Sequence, residues 1–431
     1  MPQSLFSKMF DRLKKADLFI SALFIFFTPS IIAQTATKYF VSNIKSFQST
    51  VNDDDFAAQS ITLNSEEYIR FDFDLLTDDI QWLNYRLIHC NYDGSPSNLS
   101  ELDYIDGFND IQIDQYEPSF NTFTPYYHYS FTIPNYDIRP TASGRYRVEI
   151  FNNENPDKVI AHSYFTVNEA ILNIVGEVST NTDIDFNESH QQVNIKLLTK
   201  DIAINNPADE LKVVVTQNNR QDNQAIVSQP SSFNSNEIEY THIRPLIFEA
   251  GNNYRRFEIT DHQYAGLGVD IIRFYNNVYH CILFPSEIRR YQPYTYDQDQ
   301  DGRYFINALR TENSNLEADY MVVHFSIPID YPFIEGDIHL QGDFLTDNLG
   351  EDSEMIYNFE TKQYEKSLLL KQGLYNYLYL MVKHNQTKGH TLEIEGDKYQ
   401  TPNEYLIEVF YRQPGERYDR LIGSQQIINQ D

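Results

Sequence analysis

"NTFTPYYHYSFTIPN" (residues 121–135) decides the fold class, because it alternates along its length. Phe123, Tyr127, Tyr129, Phe131 and Ile133 fall on one side, and Thr122, Thr124, Tyr126, His128, Ser130 and Thr132 on the other. Side chains of an extended chain point to opposite faces with a period of two, so the pattern predicts a strand with one face in a core. The second face carries Tyr126 and His128, which want a polar neighbour of some kind. With the preceding loop "YEPSFNT" (116–122), this face is expected to meet protein, either a neighbouring domain or a binding partner. Tyr116, Phe120, Asn121, Tyr126 and His128 are the candidate partner-binding residues.

The same strand grammar recurs. "YRVEIF" (146–151), "YMVVHF" (320–325) and "YLIEVF" (405–410) each open on Tyr. The first is followed by a polar turn and a returning strand in "NNENPDKVIAHSYFTV" (152–167). The last is followed by "YRQPGERYDRLIGSQQI" (411–427), which turns at Pro414-Gly415. Such hairpins close immunoglobulin-like sandwiches. Pro328 and Pro332 in "SIPIDYPFIEG" (326–336) interrupt strand pairing. No run of helical periodicity appears downstream of residue 33. The fold expected is all-β, tandem immunoglobulin-like β-sandwich domains over residues 34–170, 171–329 and 330–431, the last of early-set type.

A chain of 431 residues is too long for one compact core. With 32 Tyr and 29 Phe against one Trp, it suits aromatic-rich strands. The formal net charge of −29 repels phosphate backbones and anionic membrane surfaces, so nucleic acid is excluded as a partner class. Residues 1–33 are expected to be a signal peptide. Lys8, Arg12, Lys14 and Lys15 precede the apolar run "LFISALFIFF" (18–27), and Ala33 suits the cleavage position. No later stretch is apolar for long enough to span a bilayer as a helix. The polar stretch "TQNNRQDNQAIVSQPSSFNSNEIE" (216–239) and the tail "GSQQIINQD" (423–431) make poor walls for a membrane barrel, so the chain is not expected to span a membrane itself.

Signals of chemistry are few. "DQDQDGRYFINA" (297–308) places Asp297, Asp299 and Asp301 at positions one, three and five of a calcium-type loop, with Gly302 at six. Ala308 stands where the closing bidentate Glu belongs, so the loop is at most a weak calcium candidate and otherwise no metal is expected. Cys90 and Cys281 fall in apolar strands of different expected domains and are read as free thiols rather than a disulfide. No nucleophile elbow, zinc-protease motif or phosphate-binding glycine loop is present, so neither catalytic residues, cofactor nor small-molecule substrate is assigned, and the chain reads as a non-enzyme. The segment from "GDIHLQGDFLTD" (336–347) to "GLYNYLYLMV" (373–382) resembles the glycogen-binding modules of early-set folds, with Gly373, Tyr375 and Tyr377 on its late strand. On that resemblance their sugar-stacking Trp falls at Asp347, and a carboxylate offers a pyranose no flat face. Carbohydrate binding or adhesion by tandem sandwiches is therefore the alternative reading.

Longer phrases carry a family resemblance. "YRLIHCNYDGSPSNLSELDYIDGFNDIQIDQYEPSFNTFTPYYHYSFTIPN" (85–135), "LIFEAGNNYRRFEI" (246–259) and "EYLIEVFYRQPGERYDRLIG" (404–423) resemble the type IX secretion plug proteins of Bacteroidota. The resemblance implies a non-enzymatic exported protein in the periplasm, associated with the inner face of the outer membrane. Its implied partner is the outer-membrane type IX secretion translocon barrel, whose periplasmic mouth it would bind and seal when no cargo is passing.

Overall fold

The strand expected from residues 121–135 forms at Tyr127–Ile133, with Tyr129, Phe131 and Ile133 buried. In the computed structural model, which describes residues 35–346 and 349–429, the chain is all-β. Helices among the described residues are single turns of three or four residues, such as Glu101–Tyr104 and Gln221–Asn223. The expected signal peptide (1–33) and Asp347 lie outside the described residues.

The first sandwich packs one sheet, in which Ile44–Val51, Ile69–Leu75, Tyr127–Ile133 and Gln115–Pro118 are neighbours in that order, against a second sheet. That second sheet contains Asn155–Asn168, Gly144–Asn152 and Leu83–Cys90 side by side. Period-two alternation sends aromatic rings from both sheets inward. Tyr85 stacks on Phe131 at 4.3 Å between centroids, Phe71 on Phe131 at 5.2 Å and Tyr146 on Phe165 at 5.3 Å. Offset rings at these separations add to what their burial contributes.

Strand pairing does not follow a linear division at residues 170 and 329. The second sandwich begins with Asn173–Ser179 and His190–Leu198, but its other sheet joins Leu211–Gln217 to the C-terminal hairpin Glu404–Tyr411 and Arg420–Ile428. The register pairs Leu211 with Tyr411 and Gln217 with Tyr405. Tyr405, Ile407, Val409 and Tyr411 then fill the same core as Val213 and Val215. The reason is side-chain parity: in this register the apolar faces of both strands point into one interior. The third sandwich is inserted into the second between Ile247–Glu249 and Glu404–Tyr411. Its first strand, Arg255–Glu258, pairs with Gly373–Lys383, so residues from 255 onward share a core with the segment after 330.

All three Tyr-led strands form, and their leading tyrosines, Tyr146, Tyr320 and Tyr405, are buried. The last hairpin turns at Gly415, whose φ of 96° lies in the left-handed region that glycine adopts without steric cost.

Candidate partner-docking face

The outer side of Tyr127–Ile133 and the chain leading into it meet the third sandwich. His128 Nδ1 lies 2.8 Å from Asp74 Oδ1, and its Nε2 3.5 Å from Asp72 Oδ1. Tyr126, only 1% exposed, donates its hydroxyl to the carbonyl oxygens of Asn315 (3.1 Å) and Ala318 (2.9 Å). From the third sandwich, the Lys371 ammonium reaches Asp74 Oδ2 at 2.6 Å and the Asn315 carbonyl at 2.7 Å, and sits 4.1 Å from the centre of the Tyr126 ring. Tyr320 donates its hydroxyl to Asp74 at 2.7 Å. Tyr126 and His128 therefore belong to an internal junction and not to an outer surface.

Burial alone would lower the pKa of His128, but hydrogen bonds to Asp72 and Asp74 outweigh it and hold the pKa above its ordinary value. Burial likewise raises the Asp72 carboxyl, and the bond from His128 with the charge of Arg70 reverses the sign, leaving it low. For Lys371 burial wins. Its pKa is lowered despite the Asp74 carboxylate.

This buried junction clamps the loop in front of it. The Asp319 carboxylate accepts the N–H groups of Phe123 (2.9 Å) and Thr124 (3.1 Å), and Phe120 donates its N–H to the Leu316 carbonyl at 2.9 Å. Asn121 takes a left-handed φ of 58°, which asparagine tolerates better than most side chains. Tyr116 is half-buried, 5.9 Å from Tyr129 and 5.8 Å from Trp82 by ring centroid. Phe120 and Phe123 remain outside, 63% and 54% exposed, and Asn121 is exposed beside them. Of the five sequence candidates, then, Phe120 and Asn121 face solvent.

Phe123 leads to a feature that sequence reasoning did not single out. Its ring lies 4.8 Å from Phe274 and 5.5 Å from Tyr279, which themselves pack at 4.7 Å. Phe274 belongs to Val269–Tyr275, a strand at the edge of its sheet that pairs with Val278–Leu283 on one side only. Ile271, Phe274 and Tyr275 are exposed on it. An edge strand offers unpaired backbone N–H and C=O groups, and an exposed aromatic patch beside one is suited to a protein partner.

A family model described as "Type 9 secretion system plug protein 1st domain" matches residues 44–169, which spans the first sandwich from the start of Ile44–Val51. A crystal structure of a hypothetical protein from Parabacteroides merdae ATCC 43184 is 43% identical, covers 92% of this chain and 100% of that one, and superposes with a TM-score of 0.90.

The chain belongs to the type 9 secretion system plug protein family.

No curated protein matches it. The Pseudomonas fluorescens alkylpurine DNA glycosylase AlkC bound to DNA containing an abasic site analog is 11% identical over 29% of this chain and 30% of that one. Its TM-score of 0.17 carries no argument.

The plug-family match includes Phe120, Asn121 and Phe123, whereas Val269–Tyr275 lies beyond it. The exposed aromatic patch of this plug-family chain is thus assembled from two sandwiches. The remaining sequence candidates lie elsewhere. Asp297 pairs with Arg256 at 2.7 Å, and an Asp299 oxygen accepts the Tyr254 N–H. Burial, followed by the charge of Asp299, pushes Asp301 up to about 8. Among the described residues no group of three or more His, Cys, Asp or Glu is placed to hold a metal ion. Cys90 and Cys281 are buried free thiols, and burial pushes them up to about 11 and about 12. Tyr375 and Tyr377 are core residues, with Tyr375 stacked on Phe257 at 5.0 Å. They offer no exposed sugar platform. No helix among the described residues is long and apolar enough to cross a membrane.

Proposed function

We propose that this chain is a periplasmic, non-catalytic plug that binds the periplasmic mouth of the outer-membrane type IX secretion translocon barrel and seals it when no cargo is passing. The proposal includes export by the leader at 1–33 and residence at the inner face of the outer membrane. The observation that carries it is the exposed Phe120–Phe123–Phe274 surface beside the unpaired edge of Val269–Tyr275, held in place by a buried ionic junction. A pore wide enough for folded cargo leaks small solutes when idle, so its stopper needs stiffness and a reversible contact. Rings held on a clamped loop and a paired strand give contact area at a reduced ordering cost, and a polar setting around them keeps release possible.

The test is affinity purification of the tagged chain from outer-membrane extracts, alone and as a Phe123→Glu/Phe274→Glu double variant. Wild type is expected to bring down a very large barrel protein. The variant should lose most of that yield while keeping the wild-type melting temperature. Absence of a barrel, or equal recovery by a folded variant, overturns the proposal.

A further inference from the structure

A long open sheet edge is a template for pairing with another chain, and proteins cover most of theirs. Other long edges among the described residues are covered by the chain itself. Along Ile44–Val51, the Tyr39 hydroxyl accepts the Phe47 N–H at 3.0 Å, and the Tyr304 hydroxyl donates to the Phe47 carbonyl at 3.1 Å. Gln425 Oε1 accepts the Gly176 N–H of Asn173–Ser179 at 3.1 Å. The Leu421 and Ile422 carbonyls of Arg420–Ile428 accept the N–H groups of Glu169 and Leu172, both at 2.9 Å. Gly336–Gln341 exchanges bonds with the passing segment 353–355, Leu340 donating to the Ser353 carbonyl and Met355 to that of Ile338.

Val269–Tyr275 differs. It is joined to Val278–Leu283 by a two-residue turn in which Asn276 and Asn277 both take positive φ. Such a turn makes Tyr275 and Val278 a pair that exchanges both backbone hydrogen bonds, and antiparallel pairs alternate between bonded and unbonded. Arg273 therefore bonds inward to His280, while Ile272 and Phe274 turn their N–H and C=O groups out of the sheet. Among the described residues nothing bonds those groups from the open side. Two donor–acceptor sets about 6.6 Å apart, the repeat of an extended chain, are the complement of another strand. A helix satisfies its own backbone groups, and lipid would leave these unsatisfied. Side chains narrow the choice further. Ile272 and Phe274 share the face on which Phe123 lies, whereas Ile271, Arg273 and Tyr275 stand on the other. Asp270 and Arg273 are exposed on opposite faces. Directly opposed residues of antiparallel strands share a face, so no two-fold register of this edge with itself sets Asp270 against Arg273. Two chains of formal net charge −29 also repel, so a second copy is a poor occupant.

We infer that the Val269–Tyr275 edge holds its partner by strand addition. An extended segment of another protein, apolar at alternate positions and acidic where it passes Arg273, continues the sheet through the open groups of Ile272 and Phe274. Its apolar side chains lie on the Phe123–Phe274 side, and its backbone supplies the bonds that the edge lacks. The inference rests on the plug reading for the identity of the partner, the translocon barrel, and adds the manner of contact.

The experiment follows backbone amide exchange, resolved to single residues by mass spectrometry, in the free full chain and in its complex with the barrel from outer-membrane extracts. In the free chain Ile272 and Phe274 are expected to exchange fast and Arg273 slowly. In the complex Ile272 and Phe274 should slow at least about tenfold, the mark of amides that have gained a partner. Ile272→Pro removes one open N–H and keeps Phe123 and Phe274, and proline is tolerated where an edge N–H faces solvent. It should lower barrel recovery about fivefold, the net worth of one hydrogen bond. Arg273→Glu, an exposed change that leaves the backbone as it is, should also lower recovery and serves should the proline variant not fold. A complex in which Ile272 and Phe274 exchange as in the free chain, or full recovery by both folded variants, overturns strand addition and leaves the plug reading standing. Slow exchange of both amides in a free chain that sediments as a dimer assigns the edge to a second copy and overturns it too. Recovery of no barrel by wild type overturns the plug reading, and strand addition to the barrel with it.

Discussion

Replacing Lys371 with Met tests the junction behind the loop that carries Phe120 and Phe123. Lys371 and Asp74 are each only 1% exposed at the side chain, and their charged atoms are 2.6 Å apart. The ammonium also donates to the Asn315 carbonyl and lies over the Tyr126 ring. A hydrogen bond involving a charged group contributes about 1.5–3 kcal/mol, and removing one partner of a buried pair costs about 3–5 kcal/mol because the other charge stays buried. Asp74 keeps the Tyr320 hydroxyl at 2.7 Å and His128 at 2.8 Å, and these share the stranded charge. The expected loss is therefore near the lower end, ~3 kcal/mol. Urea unfolding followed by the fluorescence of Trp82, the one tryptophan and a reporter on the first sandwich, measures it. Adding Asp74→Leu should not deepen the loss, since the buried charge is then gone. A cost below ~1 kcal/mol, the range of exposed pairs, would refute the reasoning. So would a double variant that loses the sum of the two singles, because residues in direct contact should couple.

Two further outcomes are expected. His128 has a folded-state pKa raised above 6.5 by Asp72 and Asp74, opposed by Lys371. Its contribution is fully present below pH ~6.5 and fades as pH rises through the raised value, so wild type should exceed His128→Gln in urea midpoint by more at pH ~5.5 than at pH ~8.5. Equal differences at both pH values would contradict the assignment. Glu395, with 0% side-chain exposure, accepts from Arg255 at 3.0 Å, from Arg289 at 2.7 Å and from the Tyr379 N–H at 2.9 Å. Glu395→Gln strands two cations in the third sandwich and should cost ~3 kcal/mol in thermal or urea unfolding, and a near-neutral effect would show that Arg255 and Arg289 find other partners.

Local pattern reached the strands but not their assembly. Parity along residues 127–133 and the Tyr-led repeats at 146, 320 and 405 located buried faces, because alternation is written in adjacent positions. The nested third sandwich left no such mark. Leu211 pairs with Tyr411 and Arg255 with Tyr377, and nothing near either residue specifies a partner that distant. Tyr126 and His128 were legible as residues needing a neighbour, yet the neighbour, Lys371, stands 297 positions from the Asp74 that joins them. The edge strand Val269–Tyr275 escaped notice because periodicity identifies the faces of a strand, whereas its place at the rim of a sheet depends on what pairs beside it. One signal was available. Ile271, Ile272, Phe274 and Tyr275 put apolar groups on both faces of a strand that precedes the tight Asn276–Asn277 turn, where both φ angles are positive.

The placement of buried ion pairs explains how three sandwiches keep one arrangement. The third is tied to the second by two crossings of the chain, after Ile247–Glu249 and before Glu404–Tyr411, so it resists swinging on a single hinge. The first is followed by one connection, between Asn168 and Asn173, and must be fixed by contacts. Those contacts include Asp74–Lys371 toward the third sandwich and Arg145–Glu408 toward the second, the latter at 2.7 Å with side chains 5% and 6% exposed. Arg303–Glu404 closes the remaining seam at 2.9 Å. A purely apolar seam would bind at least as tightly, because desolvating two charges offsets most of their attraction. It would also tolerate sliding, which a charge pair with defined geometry penalises steeply. Ionic seams between apolar cores therefore favour a single shape over maximal stability, and a single shape is the property by which a rigid body can obstruct an opening.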